Sequence, residues 1–494
     1  MSPARPRVIA ALPVDGRPAV RSQVQAMVAC SSWTLRVPPV EALGRFRQAA
    51  DRDALRAWLL AQAGEAAGIV VSLDMLVYGG LVPSRFIDDP PPALQARLQV
   101  LQALRDADPA RPIFAFAATL RISDSDNAEE EKGYWAEHGR ALWAWSYHGD
   151  RARRTGAADS AQRAREAEAC IPAEVREDYL ATRQRNFQLT RQALQLVARG
   201  VIDRLVLPQD DTAEFGLNVA ERLALEQEAA ALGLGGRVAV YAGADEVLHT
   251  LCARLVSQLE GRAPLRVALA PSDPAHVPRL RARYEDRPVL QSVAAQVQAA
   301  GARLCEDPAQ ADVLLALHTQ GTAQGDWALG VPLPQRVPVS PQWYETLHGW
   351  VRTGRPLALA DLAFANGGDP WLLAQELPLL SAYAGWNTAG NSLGSVLAQS
   401  VLAHGREGEP PARLALALRL LEDGLYQAQL RQTLRGAVDE DRASPAELLS
   451  VARAIVLPQA QAWAASRGLG CRVTGLALPW DRSFEIDLQL EPAP

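Results

Sequence analysis

Eight short apolar stretches constrain the fold of this chain more than any other feature: Val8–Leu12, Gly68–Leu73, Ile113–Ala118, Arg204–Leu207, Val238–Ala242, Leu265–Ala270, Val313–Leu317 and Leu357–Ala360. They are apolar almost throughout instead of alternating, the pattern of strands covered on both faces, and longer segments of helical periodicity lie between them. Strands alternating with helices in this way build βαβ units and a parallel sheet. The expected fold class is therefore α/β, and eight such strands predict a (β/α)8-barrel-like parallel sheet. A barrel-like catalytic domain is expected over residues 1–400, and a helical extension ending in a short hairpin over 401–494. Two doubly wound α/β domains dividing near residue 255 are the alternative.

Local signals fill in the frame. Glu174 to Arg199 carries apolar positions at threes and fours and stops at Gly200, as a helix does at a left-handed glycine. Ser444-Pro-Ala-Glu447 is a capping box with proline at the first helical position, so a helix starts there and runs towards Ser466. Cys471–Leu476 and Ser483–Leu490 flank Pro479-Trp-Asp-Arg482 and read as a terminal hairpin. Pro90–Pro92 and the charged stretch Ser123–Arg165 read as insertions on loops.

Composition removes several function classes. The 494 residues are enough for two to four domains at roughly 100–200 residues each, or for one large barrel with insertions. A net charge of −6 gives no footprint for nucleic acid or an anionic membrane, so the expected partner is a small molecule, neutral or cationic. No apolar run is long enough for a membrane span or a signal-peptide core, and the 5 cysteines are scattered singly, which suits reduced thiols in a cytoplasmic protein. Lys132 is the only lysine and sits in Glu131-Lys-Gly-Tyr134, which excludes a phosphate-cradling P-loop and leaves a Schiff-base enzyme no suitable lysine. The 7 histidines are dispersed without zinc-ligand spacing, and no cofactor is expected.

The informative polar residues follow the apolar stretches. Asp15 and Arg17 come after the first; Asp74, Tyr78, Gly79, Gly80 and Arg85 after the second; and Arg121 after the third. Then come Asp210-Asp211, Asp245-Glu246, Asp273, His318-Thr319, Asp361 and Asn366-Gly-Gly-Asp369. The carboxyl ends of parallel strands share one face, where ligands bind, so these residues are expected to converge. The plainer explanation is helix capping, which suits Asp273 and Asp361 but not an adjacent acid pair, because one cap needs one acceptor. Tyr383-Ala-Gly-Trp-Asn-Thr-Ala-Gly-Asn391 combines aromatic, amide and glycine residues. Either Asn387 or Asn391 caps the next helix there, or Trp386 and the two amides read a sugar ring. Tyr134, Trp135, Trp143, Trp145 and Tyr147 form either a second such platform or, preferably, a loop's own small core.

Six of these stretches, Leu12-Pro-Val-Asp-Gly-Arg-Pro18, Asp74 to Arg85, Gln209-Asp-Asp211, Gly243-Ala-Asp-Glu246, Asn366-Gly-Gly-Asp369 and Ala384-Gly-Trp-Asn-Thr388, together resemble the bacterial domain-of-unknown-function family numbered 4127. The resemblance extends to Leu476-Ala-Leu-Pro-Trp-Asp-Arg-Ser-Phe-Glu485, with Gly16 standing where a second aspartate is expected. It brings no reaction and no catalytic residue.

The residues themselves point to a glycoside hydrolase acting on a small sugar or amino-sugar glycoside, because glycosidic cleavage needs two carboxyl groups of different protonation. Glu246 is the expected general acid and Asp245 its substrate-orienting neighbour, an arrangement similar to the adjacent Asp-Glu pairs of substrate-assisted hexosaminidases. Gly243 would supply the turn that brings both to one pocket. Asp210 and Asp211 are the second pair, with Asp15, Arg17, Asp74, Tyr78, Arg85, Arg121, Asn366, Asp369, Trp386, Asn387 and Asn391 around the substrate. A divalent-metal hydrolase or isomerase using Asp74, Asp210, Asp211 and Asp245 as ligands, and a non-catalytic carbohydrate-binding protein, are the alternatives.

Overall fold

The computed structural model describes residues 7–493. Each expected strand forms where it was placed, to within one or two residues: β1 (Val8–Leu12), β3 (Gly68–Ser72), β4 (Ile113–Phe116), β5 (Arg204–Gln209), β6 (Val238–Ala242), β7 (Arg266–Pro271), β9 (Val313–His318) and β10 (Leu357–Asp361). Three further strands of the two large sheets escape periodicity because they are only two or three residues long: β2 (Thr34–Arg36), β8 (Arg303–Leu304) and β11 (Ala382–Ala384).

Among the described residues these strands form two open sheets, and closure into one barrel is not shown. The six-stranded sheet has the order β2-β1-β3-β4-β5-β6, and the five-stranded sheet the order β8-β7-β9-β10-β11. The ladders from β1 through β6 and from β8 through β11 are parallel, for example Ile9 to Gly68 in the first sheet and Leu357 to Leu314 in the second. The same order recurs in both sheets, with the first strand between the second and third. The direction of winding thus reverses between β1 and β3, and again between β7 and β9. Such switch points are where parallel α/β sheets open a crevice at their carboxyl ends.

The chain separates into two compact units, each holding one sheet. Unit 1 contains the chain up to Gly16, Leu35–Leu248 and Tyr284–Arg287; unit 2 contains Arg17–Thr34, His249–Arg283 and the chain from Pro288 onward. This division follows the sheets. In unit 1, Ala10, Leu12, Ile69, Val71, Ile113 and Leu205 pack against Leu55, Leu59, Leu101, Leu194 and Val197 of the flanking helices. The intervening strand residues Ile9, Ala11, Val70 and Phe114 are buried too, which explains why the runs are continuously apolar. In unit 2, Ala268, Leu314, Ala316, Leu357 and Leu359 pack against Trp343, Leu347 and Trp350.

Two expected loop insertions are helical instead. Pro90 precedes the helix Pro91–Arg97, with proline in its first turn, where its missing N–H costs nothing. Ser123–Arg165 contains the helix Trp135–Thr155 and most of Ala158–Ala169, and Trp135, Leu142, Ile171 and Tyr179 form a small core. Tyr134, Trp143 and Trp145 pack against this core, and Tyr134 and Trp135 also line a small cavity. The helix at Pro445–Ser466 begins with Ser444 Oγ accepting the Glu447 N–H at 3.3 Å, and the antiparallel hairpin of Cys471–Ala477 and Asp487–Pro492 follows. The π-helix Leu420–Leu430 was not anticipated. No helix among the described residues is long and apolar enough to cross a membrane.

Candidate functional site

Because the strands divide between two sheets, the residues expected on one face divide as well. Asp15, Asp74, Tyr78, Arg85, Arg121, Asp210, Asp211, Asp245 and Glu246 belong to unit 1, whereas Arg17, Asn366, Asp369, Trp386, Asn387 and Asn391 belong to unit 2.

In unit 1 the helix Leu73–Tyr78 is capped by Ser72, whose Oγ accepts the Met75 N–H at 3.2 Å. That leaves Asp74 free for another task, and its Oδ2 takes the Ala118 N–H at 3.0 Å beyond the end of β4. Burial pushes the Asp74 carboxyl up to about 7, against the pull of that N–H and of Arg85. The Tyr78 phenol is driven up by burial and then by the charge of Asp74, and its oxygen has no hydrogen-bond partner among the described residues. Asp15 is also buried, just past β1 and therefore at the switch point beside β3.

The Asp210-Asp211 pair follows β5. Asp211 has φ 23°, a turn that lets neighbouring side chains escape the opposite-face rule of a strand. Arg85 donates from Nη2 to Asp210 at 2.9 Å, and from Nη1 to Glu131 at 3.1 Å. Arg121 donates from Nη1 to Asp211 at 3.2 Å, and from Nε to the same Glu131 oxygen at 2.8 Å. Two arginines therefore clamp the pair, joined through Glu131. Burial raises Asp210 to about 7, the charge of Asp211 adds to this, and Arg121 and Arg85 oppose it. Asp211 is raised as well, by burial first, with Arg121 opposing. Burial disfavours the charge of Arg121, but Glu130, Glu131, Asp211 and Asp210 outweigh it and hold the guanidinium charged. The side chains of Asp210 and Asp211 keep 12 % and 28 % of their surface exposed. A small cavity of about 20 Å³ beside the pair is lined by Arg85, Arg121, Glu131, Lys132 and Tyr179 among others, with neither aspartate in its wall. Lys132 is held beside it by Asp178 and by Thr182 Oγ1 at 2.9 Å.

Gly243 takes φ 121°, the turn expected before Asp245-Glu246. Its effect differs from expectation, because the Glu246 carboxyl folds back over the glycine. A Cβ at Gly243 would lie 2.7 Å from Glu246 Oε2. Glu246 has 0 % exposure, and neither carboxyl oxygen has a partner among the described residues. Burial drives it well above the carboxylate range, and the charges of Asp245 and Glu285 add to this. Glu246 is thus enclosed, whereas the raised Asp210 carboxyl keeps part of its side chain exposed.

Unit 2 arranges its acids differently. Asp361 is not a helix cap: its Oδ2 accepts the Asp369 N–H at 2.7 Å and the Tyr383 hydroxyl at 3.2 Å. Burial raises it to about 6, with His318 opposing and Asp369 adding. Asp369 is itself the cap of Pro370–Leu373, and it also meets His318 Nε2 at 3.0 Å and Arg336 at 2.6 and 3.2 Å. Burial would raise Asp369, but the bonds from His318 and Arg336 hold it at about 2. Gly368 is required here, since a Cβ would strike the Tyr383 hydroxyl at 2.0 Å. Asp273 is no helix cap either; it accepts the Gly321 N–H at 2.8 Å and faces His276 Nδ1 at 2.9 Å.

The sugar-reading loop does not present a platform. Trp386 is 1 % exposed and lies under the Arg419 guanidinium, and Thr388, not an asparagine, caps the helix Ala389–Ala403. Asn391 is buried in the first turn, Asn387 O accepts the Asn366 N–H at 2.7 Å, and Asn366 Nδ2 donates to Asp326 at 3.1 Å. Arg17 pairs with Glu485 at 3.2 Å and stacks on Trp480. The π-helix brings in residues that periodicity missed. Glu422 accepts Gln23 Nε2 at 2.6 Å and is raised to about 8 by burial, while Asp423 accepts the Gly385 N–H at 2.9 Å. The spacing of Arg419, Glu422 and Asp423, three and four apart, was the available signal.

Among the described residues no group of three or more His, Cys, Asp and Glu is spaced to hold a metal ion. Residues 9–489 match the family described as a protein of unknown function, DUF4127, and the chain belongs to that family. None of the curated proteins matches it.

Proposed function

We propose that this member of the DUF4127 family is a glycoside hydrolase whose acid–base pair is Asp210 and Asp211. One observation carries the reading: two adjacent, partly exposed carboxyl groups, one with a pKa raised to about 7, each held by its own arginine beside a cavity of unit 1. A general acid is most effective when its pKa lies near the working pH, and a second carboxylate must act as base or nucleophile. Asp210 is the proton donor in this reading and Asp211 the charged partner. Asp74, just past β3, and Glu246 are buried acids that support the loops around the pair. The arginines lining the cavity already have carboxylate partners, which favours an uncharged, hydroxyl-rich substrate over an anionic one. All five cysteines are free thiols, in keeping with a reducing, cytoplasmic setting.

The test is a panel of chromogenic glycosides assayed with purified protein, with and without EDTA. Release of the chromophore from a neutral glycoside, unaffected by EDTA, supports acid–base hydrolysis. Activity lost on chelation and restored by Mg²⁺ or Mn²⁺ would transfer the same carboxylates to a metal-dependent reaction. Saturable sugar binding without turnover would leave a carbohydrate-binding protein.

A further inference from the structure

The second switch point, between β7 and β9, holds a different constellation. Ser272 follows the last residue of β7, His318 is the last residue of β9, and Asp369 follows β10. Ser272 Oγ lies 3.1 Å from His318 Nδ1, and His318 Nε2 lies 3.0 Å from Asp369 Oδ2. We propose that Ser272, His318 and Asp369 form a second, separate active site in unit 2, a nucleophilic serine that cleaves carboxylic esters. It is independent of the carboxylate pair of unit 1.

The roles follow from the bonds. Arg336 keeps Asp369 ionised through two contacts, and the ionised carboxylate draws the ring proton of His318 to Nε2. Nδ1 is then a bare acceptor facing the Ser272 hydroxyl. The nitrogens are used in the opposite sense to the serine-protease triad, but an imidazole passes a proton between its two positions either way. Triads are recognised by geometry and role, not by position in the chain. All three residues are buried, Ser272 the least so, at 5 % against 0 % for His318 and Asp369.

A tetrahedral oxyanion needs donors that are not already engaged. Thr319 and Gln320 follow His318 directly. Thr319 Oγ1 and Gln320 Nε2 are buried and have no partner among the described residues. Gln320 is anchored by its other end, where Oε1 accepts the Val337 N–H at 2.7 Å, so its amide group is fixed with its donors free. A buried donor without a partner costs free energy unless a ligand supplies the acceptor.

In the step proposed, the Ser272 Oγ–H proton passes to His318 Nδ1 as Oγ bonds to the ester carbonyl carbon. The carbon–oxygen bond to the alcohol breaks, and the departing oxygen takes the proton from Nδ1. Water then attacks the acyl carbon, giving its proton to Nδ1; the Oγ–carbon bond breaks, the proton returns to Oγ, and a carboxylic acid leaves. No oxidant, reductant or other co-reactant enters.

The experiment treats the full-length protein with a fluorophosphonate, which forms an oxygen–phosphorus bond with an activated serine and expels fluoride. The adduct is then mapped by mass spectrometry. The expected result is one adduct, on Ser272, absent in Ser272→Ala. That variant should melt within a few degrees of the wild type, because the Ser272 hydroxyl otherwise bonds only to Thr319 backbone groups. No adduct on the folded wild type, or an adduct mapped elsewhere, overturns the proposal. Wild-type mapping decides the matter even if the variant fails to fold.

Discussion

Asp210, partly exposed just past β5 in unit 1, and Asp369, buried between β10 and β11 in unit 2, are put to opposite use. Asp210 is held near pH 7 because burial and a like-charged neighbour outweigh two shared arginines. Asp369, fully buried, is held near pH 2 because a histidine and an undivided arginine bond it directly. Burial acts on both in the same direction, so the number and geometry of the donors decide which carboxyl keeps its proton. An acid of the first kind can give a proton to a leaving group. An acid of the second kind can only orient and charge-balance something else, here a histidine.

The largest effect that would sharpen this contrast is in unit 2. Asp369→Asn keeps the shape but removes the charge that fixes the His318 tautomer, and it should slow fluorophosphonate labelling of Ser272 by about 10⁴-fold. An unchanged labelling rate would mean that Asp369 is only a helix cap. In unit 1, Arg121→Gln leaves Asp211 without its arginine, while Glu130 and Glu131 keep Arg85 alone. Denaturant unfolding should show a loss of about 3–5 kcal/mol, the cost of breaking a buried charge pair. A change under about 1 kcal/mol would place the pair in solvent, where ion pairs contribute little.

Gly243→Ala should cost about 1–3 kcal/mol, since it combines a positive φ with a Cβ pressed on Glu246, and its melting temperature should fall accordingly. A further effect concerns pH. A carboxyl whose folded pKa is raised contributes stability that is complete below its unfolded pKa, about 4, and is lost as pH rises through its folded value. For Asp74 that window runs from there to about 7. The wild type should lose stability across it, and Asp74→Asn, which has nothing to titrate, should show a flatter melting profile. Parallel profiles would remove Asp74 from the set of raised acids.

The sequence made the strands legible because β1, β3 and β4 are buried on both faces and therefore apolar at every position. It could not tell which strands share a sheet, since β6 and β7 look alike as peptides while pairing in different sheets. Edge strands of two or three residues leave no period to read. At the sites, adjacency was legible and enclosure was not. Asp210-Asp211 and Gly243 stood out, but a fold-back that buries the Glu246 carboxyl depends on packing. The Ser272–His318–Asp369 contacts span 46 and 51 residues, and each partner alone is an ordinary residue at a strand end. Asp74 was separable from the capping explanation only once Ser72 was seen to be the cap.

The proton donor proposed for hydrolysis in unit 1 is Asp210. Its most direct test is the pH dependence of kcat/KM for the best chromogenic glycoside, measured on the wild type, Asp210→Asn and Glu246→Gln. The wild-type rate should fall as pH rises through about 7, where Asp210 loses its proton. Asp210→Asn should lose about 10²–10⁴ in rate and no longer show that limb, while Glu246→Gln should keep it. A basic limb that survives in Asp210→Asn and disappears in Glu246→Gln would contradict the account and return the acid to the enclosed glutamate.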